Sequence, residues 1–284
     1  MLEANLLSTI DHLIITVDDL SSAVEDYTKV LGFPPTWRGE HPEKGTENAL
    51  FPFQNTYLEL MAAKGDGLYA DIVKTNLENK GEGLFGMVLG TEDLEAFKNN
   101  LTENGIETGE ILEGKGFESN LNLTRTWKNL FLDPSITRDL FVFPIEHTSG
   151  ELPSIKEDAS HVNRLDAAVI NTNDPDGFIS LYRDKFGIRL ALDKFIEQWK
   201  TRILFFRINK TTIEVINKES QEEKAQDSLW GLSWAVDDIK AAHERLVSQG
   251  VEVTNVKDGI KSETLVCSIK SHTRGVPTLL IQHL

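Results

Sequence analysis

Three residues at the ends of apolar segments have side chains suited to acid–base or metal chemistry. His12 opens the segment HLIITV, Glu59 lies in YLELM and Glu146 lies in FPIEH. A histidine or carboxylate inside a strand loses its hydration, which costs free energy unless the group is hydrogen-bonded, paired or metal-bound. Imidazole and carboxylate groups together bind divalent ions and also transfer protons. These residue types therefore predict one of those two chemistries.

An internal repeat supplies the elements that must position these residues. The segment IITVDDLSSAVEDYTKVLGF is similar to AVINTNDPDGFISLYRDKFGI at an offset of 155 residues, and LFGMVLGTEDLEAFKNNLTENGIET is similar to LWGLSWAVDDIKAAHERLVSQGVEV at an offset of 145. Each segment has an apolar strand, acidic residues that suit a helix start, and an amphipathic helix ending at glycine. Short strands follow. The pattern β-α-β-β-β occurs four times and predicts an α+β fold.

The four units predict two tandem modules. We expect residues 1–148 to form the first module and residues 161–284 the second. The polar stretch HTSGELPSIKEDAS, which contains a proline, predicts a linker over residues 149–160.

Alignment of the four units shows which residues share a position. The last strands place these side chains in equivalent positions: Glu59, Glu146, Glu214 and Gln282. The first strands place these residues in equivalent positions: His12, Gly86, Ala167 and Gly231. The first module thus carries a histidine with two carboxylates, and the second has no histidine there. We expect a candidate site in the first module and a degenerate copy in the second.

Composition narrows the classes of partner. The formal net charge of −16 and the sequence pI of about 4.9 argue against nucleic acid and anionic membranes. The only cysteine, Cys267, lies in the alternating segment TLVCSI, so we expect a buried, inert thiol and no disulfide. The absence of a signal-peptide pattern at the amino terminus leads us to expect a cytoplasmic protein.

The sequence resembles the vicinal oxygen chelate superfamily, which includes glyoxalase I, extradiol dioxygenases and bleomycin-resistance proteins. The most specific mark is an H-P-x-x-G-T-x-N element followed by Y-L-E-L, which is similar to the glyoxalase-like family within that group. Here the element comprises His41, Pro42, Gly45, Thr46 and Asn48. The resemblance covers roughly the first 150 residues, including LFVFPIEHTSG, and implies that each module has a curved mixed sheet.

The resemblance implies a divalent metal held by side chains from the first and last strands. His12, Glu59 and Glu146 match three of the four ligand positions of glyoxalase I, and Gly86 falls at the fourth. His41 or His147 could supply the missing ligand, and we prefer His41 because it lies on a loop that could fold over the site. Such a ligand set suits Zn, Mn, Fe(II) or Ni.

The resemblance also implies roles in catalysis. The metal would chelate two substrate oxygens while Glu59 or Glu146 moves a proton. The loop residues His41, Thr46 and Asn48 would contact the substrate.

Further substrate contacts are expected from position alone. Trp37 and Trp127 could wall the pocket, and Arg38 and Arg125 could pair with a substrate carboxylate.

Two hypotheses stay open at this point. The first is a metal-dependent enzyme of the glyoxalase, lyase or dioxygenase type, acting on a small oxygen-bearing or thiol-conjugated metabolite. The second is a metal-free binding protein of the bleomycin-resistance type, which the glycine at the fourth ligand position favours. The retained histidine and two carboxylates favour the enzyme. The chain could be a monomer with two paired modules or a homodimer.

Overall fold

The computed structural model describes residues 6–41, 44–118, 121–218 and 227–284. These residues form two eight-stranded mixed sheets with six helices around them. The first sheet has the strand order β2-β3-β4-β1-β5-β8-β7-β6, and the second has the equivalent order β10-β11-β12-β9-β13-β16-β15-β14. The predicted α+β fold of four β-α-β-β-β units is confirmed.

The first sheet and its helices occupy the amino-terminal half. Its strands are β1 (Thr9–Thr16), β2 (Trp37–His41), β3 (Thr46–Pro52), β4 (Tyr57–Ala63), β5 (Gly83–Gly90), β6 (Leu112–Glu118), β7 (Leu123–Asn129) and β8 (Phe141–Ser149). The helices of this half are α1 (Leu20–Leu31), α2 (Leu68–Lys80), α3 (Leu94–Glu103) and α4 (Pro134–Thr137).

The second sheet and its helices occupy the carboxyl-terminal half. Its strands are β9 (Val162–Thr172), β10 (Arg189–Ile196), β11 (Thr201–Ile208), β12 (Thr211–Asn217), β13 (Ser228–Val236), β14 (Lys257–Asp258), β15 (Thr264–Ile269) and β16 (Thr278–His283). The helices are α5 (Pro175–Tyr182) and α6 (Ile239–Ser248). Among the described residues, no helix is long and apolar enough to span a membrane.

An aspartate begins the helix of each unit. The four N-cap residues, whose carboxylates accept backbone N–H groups of the first turn, are Asp19, Asp93, Asp174 and Asp238. Such caps satisfy helix N–H groups that have no intrahelical partner. Helix α1 ends at Gly32, whose φ of 96° lies in the left-handed region that glycine adopts without strain.

Helix α2 explains why the repeat offset changes from 155 to 145 residues. It lies between β4 and β5, whereas the corresponding strands β12 and β13 are joined by a shorter segment. Val73 of α2 is buried against Ile14 and Met61, on the same face of the sheet as the candidate site. The helix therefore covers one end of that face in the first module.

The first sheet curls until its two outer strands meet. Strand β2 contacts β6, and a Cβ atom at Gly116 of β6 would lie only 3.2 Å from the Trp37 ring of β2. The sheet is therefore nearly a closed barrel, and side chains that point inward are removed from water.

Candidate functional site

A β-bulge at the start of β1 brings Asp11 and His12 together. Ile10 lies opposite Leu89 of β5 and His12 lies opposite Val88, so Asp11 is an extra residue in β1. Successive side chains of a regular strand point to opposite faces, and a bulge changes that alternation. Here Asp11 Oδ1 lies 2.7 Å from His12 Nδ1.

His12 is held on three sides inside the curled sheet. Because a carboxylate can only accept, Nδ1 donates to Asp11 and the other ring nitrogen faces Glu59. His12 Nε2 and Glu59 Oε2 are 3.5 Å apart. The imidazole stacks on the Tyr57 ring with 4.5 Å between ring centres and 13° between planes. With 4% of its surface exposed, His12 has its orientation fixed by these neighbours.

Glu59 is fixed by an amide from the neighbouring strand. Asn48 Nδ2 of β3 donates to Glu59 Oε1 at 2.7 Å, and both side chains are buried. This leaves Glu59 Oε2 directed towards His12. The buried Oδ1 of Asn48 has no hydrogen-bond partner in the described structure.

The cluster continues from Asp11 towards β7 and β8. Asp11 Oδ2 is 3.0 Å from His147 Nε2, and His147 Nε2 is 3.4 Å from Arg125 Nη2. Burial alone raises the pKa of Asp11, but the hydrogen bonds with His12 and His147 outweigh it and hold that pKa well below its usual range. Asp11 is therefore ionised at neutral pH.

Tyr57 links the two ends of the cluster. The guanidinium carbon of Arg125 lies 5.0 Å from the centre of the Tyr57 ring, which also stacks on His12. Burial, supported by the nearby Asp11 charge, raises the pKa of Tyr57 well above its usual value. The Tyr57 hydroxyl therefore stays protonated across the physiological range.

Comparison with the second module shows which features of this cluster occur in both modules and which occur only in the first. It repeats the bulge at Asp166, whose Oδ1 lies 2.8 Å from His283 Nε2, as Asp11 lies against His147. It retains Glu214 on the strand that corresponds to β4. However, Ala167 follows Asp166, so the counterpart of His12 is missing. The Asp–His contact thus occurs in both modules, whereas a histidine at the position of His12 occurs only in the first module.

The structure does not bring Glu146 to His12, contrary to the expected ligand set. Glu146 Oε2 accepts from the Leu94 backbone N–H at 2.9 Å, at the start of α3. Gln282 makes the equivalent contact with the Ile239 N–H at 3.0 Å. Neighbouring strand residues point to opposite faces, so it is His147 that reaches Asp11.

His41 also lies away from His12. It pairs with Thr46, which lies opposite Ala63, four residues along β4 from Glu59. At about 3.3 Å per residue this is a separation of about 13 Å along the strand. His41 Nδ1 instead lies 3.1 Å from Thr46 Oγ1. Pro42 of the same sequence element lies outside the described residues.

The other expected positions divide between the two faces of the sheet. Trp37 lies opposite Leu50, which lies opposite Glu59, so the buried Trp37 side chain shares the face of Glu59. Arg38 follows it and is exposed on the other face. At Gly86 a Cβ atom would come within 2.9 Å of the Phe141 ring, so close packing requires glycine there.

His12 and Glu59 present two donor atoms at a spacing that suits a divalent ion. Two ligand atoms at about 2.1 Å from one ion are about 3.4 Å apart in tetrahedral geometry, which the 3.5 Å between His12 Nε2 and Glu59 Oε2 matches. The other two ligand positions supply no donor, since one is Gly86 and the carboxylate of Glu146 is bound to α3. Among the described residues, no group of three or more His, Cys, Asp or Glu side chains could hold a metal. The described side chains therefore do not form a complete metal site.

Sequence reasoning missed two members of the cluster. The signal for Asp11 is its counterpart Asp166, which lies at the same offset of 155 residues. The signal for Tyr57 is its position two residues before Glu59, and hence on the same strand face.

Comparisons with known proteins place the chain among glyoxalase-like folds. A glyoxalase-like domain model matches residues 10–186, and the glyoxalase/bleomycin resistance protein/dioxygenase superfamily model matches residues 164–266. No curated protein sequence matches the chain significantly.

Similar solved structures extend over both modules. A mutant of 4-hydroxymandelate synthase from Streptomyces coelicolor is 15% identical, with a TM-score of 0.70 over 98% of this chain and 93% of that one. The Mn(II)-bound glyoxalase from Novosphingobium aromaticivorans is 13% identical, with a TM-score of 0.63 over 98% of this chain and 83% of that one. A hypothetical protein from Staphylococcus aureus is 14% identical, with a TM-score of 0.62 over 96% and 98%. At these identities the likeness shows the fold alone.

Proposed function

We infer, since this chain belongs to the glyoxalase-like domain family, that its first module is an enzyme that transfers protons on a small oxygen-bearing molecule. The observation that carries the proposal is the 3.5 Å approach of His12 Nε2 to Glu59 Oε2 inside a nearly closed sheet. The second module keeps Glu214 but has Ala167 in place of the histidine. A pair confined to one of two copies is better explained by chemistry than by folding.

The proposed reaction uses the side chains of the first module directly. Glu59 accepts a proton from a carbon next to a carbonyl group. His12 acts with a proton on both ring nitrogens, so that Nδ1–H donates to Asp11 and Nε2–H donates to the oxygen on which negative charge develops. Asp11 holds the imidazole through Nδ1, and Asn48 holds the carboxylate through Oε1. Both groups are thus oriented before the substrate arrives, which lowers the entropic cost of reaching the transition state.

The Mn(II) of the Novosphingobium glyoxalase raises the possibility of a divalent metal here. Such an ion would find His12 Nε2 and Glu59 Oε2 as donors, but Gly86 and Glu146 add none. We therefore assign the proton transfer to His12 and Glu59 themselves. Elemental mass spectrometry of untagged protein measures the metal content directly, and near-stoichiometric metal that is lost in His12→Ala would contradict this assignment.

The test of the proposed function is hydrogen exchange at carbon. Protein is incubated in D2O with hydroxyacetone and 2-oxobutyrate, and loss of the C–H signals next to the carbonyl is followed by NMR. We expect Glu59→Gln to slow the exchange at least about 100-fold, the lower range for loss of a general base. The matched control is Glu214→Gln, which changes the equivalent carboxylate of the second module and leaves the rate unchanged. Equal rates in wild type and Glu59→Gln would refute the role of Glu59.

A second candidate function is binding without chemistry. It is favoured by the incomplete metal-ligand set and by the low exposure of Glu59, 8% of its surface. Isothermal calorimetry separates the two functions. A binding protein would take up a ligand that undergoes no C–H exchange, and Glu59→Gln would change its affinity only.

A further inference from the structure

Among the described residues, one buried cation of the first module has no anionic partner. Arg125 lies on β7 with 6% of its surface exposed, and among the described residues no Asp or Glu oxygen lies within ion-pair distance of it. Its Nε has no hydrogen-bond partner in the part of the chain that the structure describes. Glu118, buried on the paired strand β6, accepts from the Leu121 N–H.

The neighbours that Arg125 has do not neutralise it. Its guanidinium lies over the Tyr57 ring, and its Nη2 approaches His147 Nε2 at 3.4 Å. That nitrogen also lies 3.0 Å from Asp11 Oδ2, so it donates to the carboxylate and cannot accept from Arg125. Guanidinium stays protonated in proteins, so a full positive charge is buried here.

A buried, unpaired charge is strongly unfavourable, which makes an anionic ligand the natural partner of Arg125. The planar guanidinium fork matches the two oxygens of a carboxylate. A carboxylate also fits better than a phosphate group, because its single negative charge balances one cation, whereas a phosphate group carries about −1.5 to −2 at pH 7.

The position of Arg125 connects it to the proposed chemistry. Arg125 and His12 both contact the Tyr57 ring, so the guanidinium lies close to the His12–Glu59 pair. The second module has no basic residue on the corresponding strand β15, whose sequence is TLVCSI. The cation, like His12, is confined to the module that carries the candidate site.

We propose that the first module binds a small carboxylic acid, with the carboxylate on Arg125 and the carbonyl-bearing carbon directed towards His12 and Glu59. The direction of the carbonyl-bearing carbon towards His12 and Glu59 rests on the proposed function. The carboxylate site itself does not, because it follows from the unpaired cation alone.

The binding test uses two pairs of probes, each an acid with its uncharged methyl ester: pyruvate with methyl pyruvate, and phenylglyoxylate with methyl phenylglyoxylate. We expect at least one acid to raise the melting temperature of the wild-type protein with concentration, and its ester to have no effect. In Arg125→Met the dissociation constant for that acid, measured by calorimetry, should rise at least about tenfold, as expected for loss of hydrogen bonds to a charged group. An ester that binds as well as its acid would overturn the proposal, as would no stabilisation by either acid.

A second measurement distinguishes a ligand site from a structural arginine. Without ligand, Arg125→Met should melt at the same temperature as wild type or higher, because the substitution removes an uncompensated charge. The matched control is Arg138→Met, since Arg138 is half-buried but paired with Asp227 at 2.6 Å and Asp174 at 3.0 Å. We expect Arg138→Met to melt lower. A comparable loss in Arg125→Met would show that Arg125 serves the fold and would overturn the proposal.

Glu59→Gln and Arg125→Met together distinguish a failure of the carboxylate site from a failure of the proposed enzyme activity. If this variant binds the acid and neither it nor wild type exchanges C–H hydrogens, the carboxylate site stands and the proposed enzyme activity fails. If hydroxyacetone exchanges at the same rate in wild type and Arg125→Met while no acid binds, the enzyme activity stands and the carboxylate site fails.

Discussion

At the scale of single residues, equivalent carboxylates in the two modules have different surroundings. Glu59 receives a hydrogen bond from Asn48, whereas the residue at the corresponding offset of 155 in the second module is Ile203. Burial and the nearby Asp166 raise the pKa of Glu214, and Lys261 opposes this shift. Glu59 therefore has a polar partner for one of its oxygens, whereas Glu214 lacks the counterpart of that partner and its ionised form is disfavoured in the folded state.

We predict that Glu214→Gln stabilises the protein at pH 7. A carboxyl pKa raised by folding means that the ionised form is disfavoured in the folded state. The penalty is absent below the unfolded-state pKa, near 4.5, and grows as the pH rises through the folded-state value. Melting temperatures measured from pH 3.5 to 8 should therefore differ most at neutral pH and converge in acid. A lower melting temperature of the variant at pH 7 would contradict the prediction.

At the scale of elements, a side chain from the last strand caps the helix of the same unit in the second and fourth units. Glu146 of β8 and Gln282 of β16 each accept the first free N–H of a helix, α3 and α6 respectively. Helix N-terminal N–H groups without partners cost free energy, and a carboxylate also interacts favourably with the helix dipole. The recurrence of Glu or Gln at this position is therefore explained by helix capping in these two units.

We predict that Glu146→Ala lowers the free energy of unfolding by about 0.5–2 kcal/mol, the usual loss for a removed helix cap. Glu146→Gln copies the arrangement of Gln282 and should keep most of that stability. Urea denaturation measures both changes, and Gln282→Ala is the matched control in the second module. The C–H exchange rate should be the same in Glu146→Gln as in wild type. A loss of exchange in that variant would show that Glu146 takes part in the proposed reaction and would contradict its assignment as a helix cap alone.

At the scale of the whole molecule, the two modules share one interior. Buried apolar residues of both halves form a single cluster, and the ring centres of Phe53 and Trp234 lie 4.5 Å apart across the junction. Polar contacts also cross the junction. The Tyr27 hydroxyl donates to the Thr273 carbonyl oxygen at 3.0 Å, and Arg245 donates to the carbonyl oxygen of Val30 at 3.1 Å.

We predict that the two modules unfold together. Since separating them would expose a shared apolar interior and leave buried polar groups unpaired, neither half is expected to keep its stability alone. Differential scanning calorimetry should give one transition in which the calorimetric and van't Hoff enthalpies agree. Two resolved transitions, or a stable isolated fragment of residues 1–148, would show that the modules are independent.

The sequence by itself determined the fold and one pair within the candidate site. Strand and helix periodicities are local features of the sequence. Because the repeat offsets are constant, the elements found in one unit could be assigned to the others, and four β-α-β-β-β units were predicted without knowledge of any contact. The same alignment paired His12 with Glu59, because residues on the inward face of neighbouring strands β1 and β4 must meet.

Only the tertiary structure decided which way the remaining side chains point. Alignment put Glu146 rather than His147 beside His12, an error of one residue that reverses the face of the sheet. The bulge at Asp11, the packing that requires glycine at position 86 and the unpaired burial of Arg125 depend on contacts between strands far apart in the chain. Such contacts leave no periodic trace in the sequence, because they arise when the sheet curls and brings its strands together.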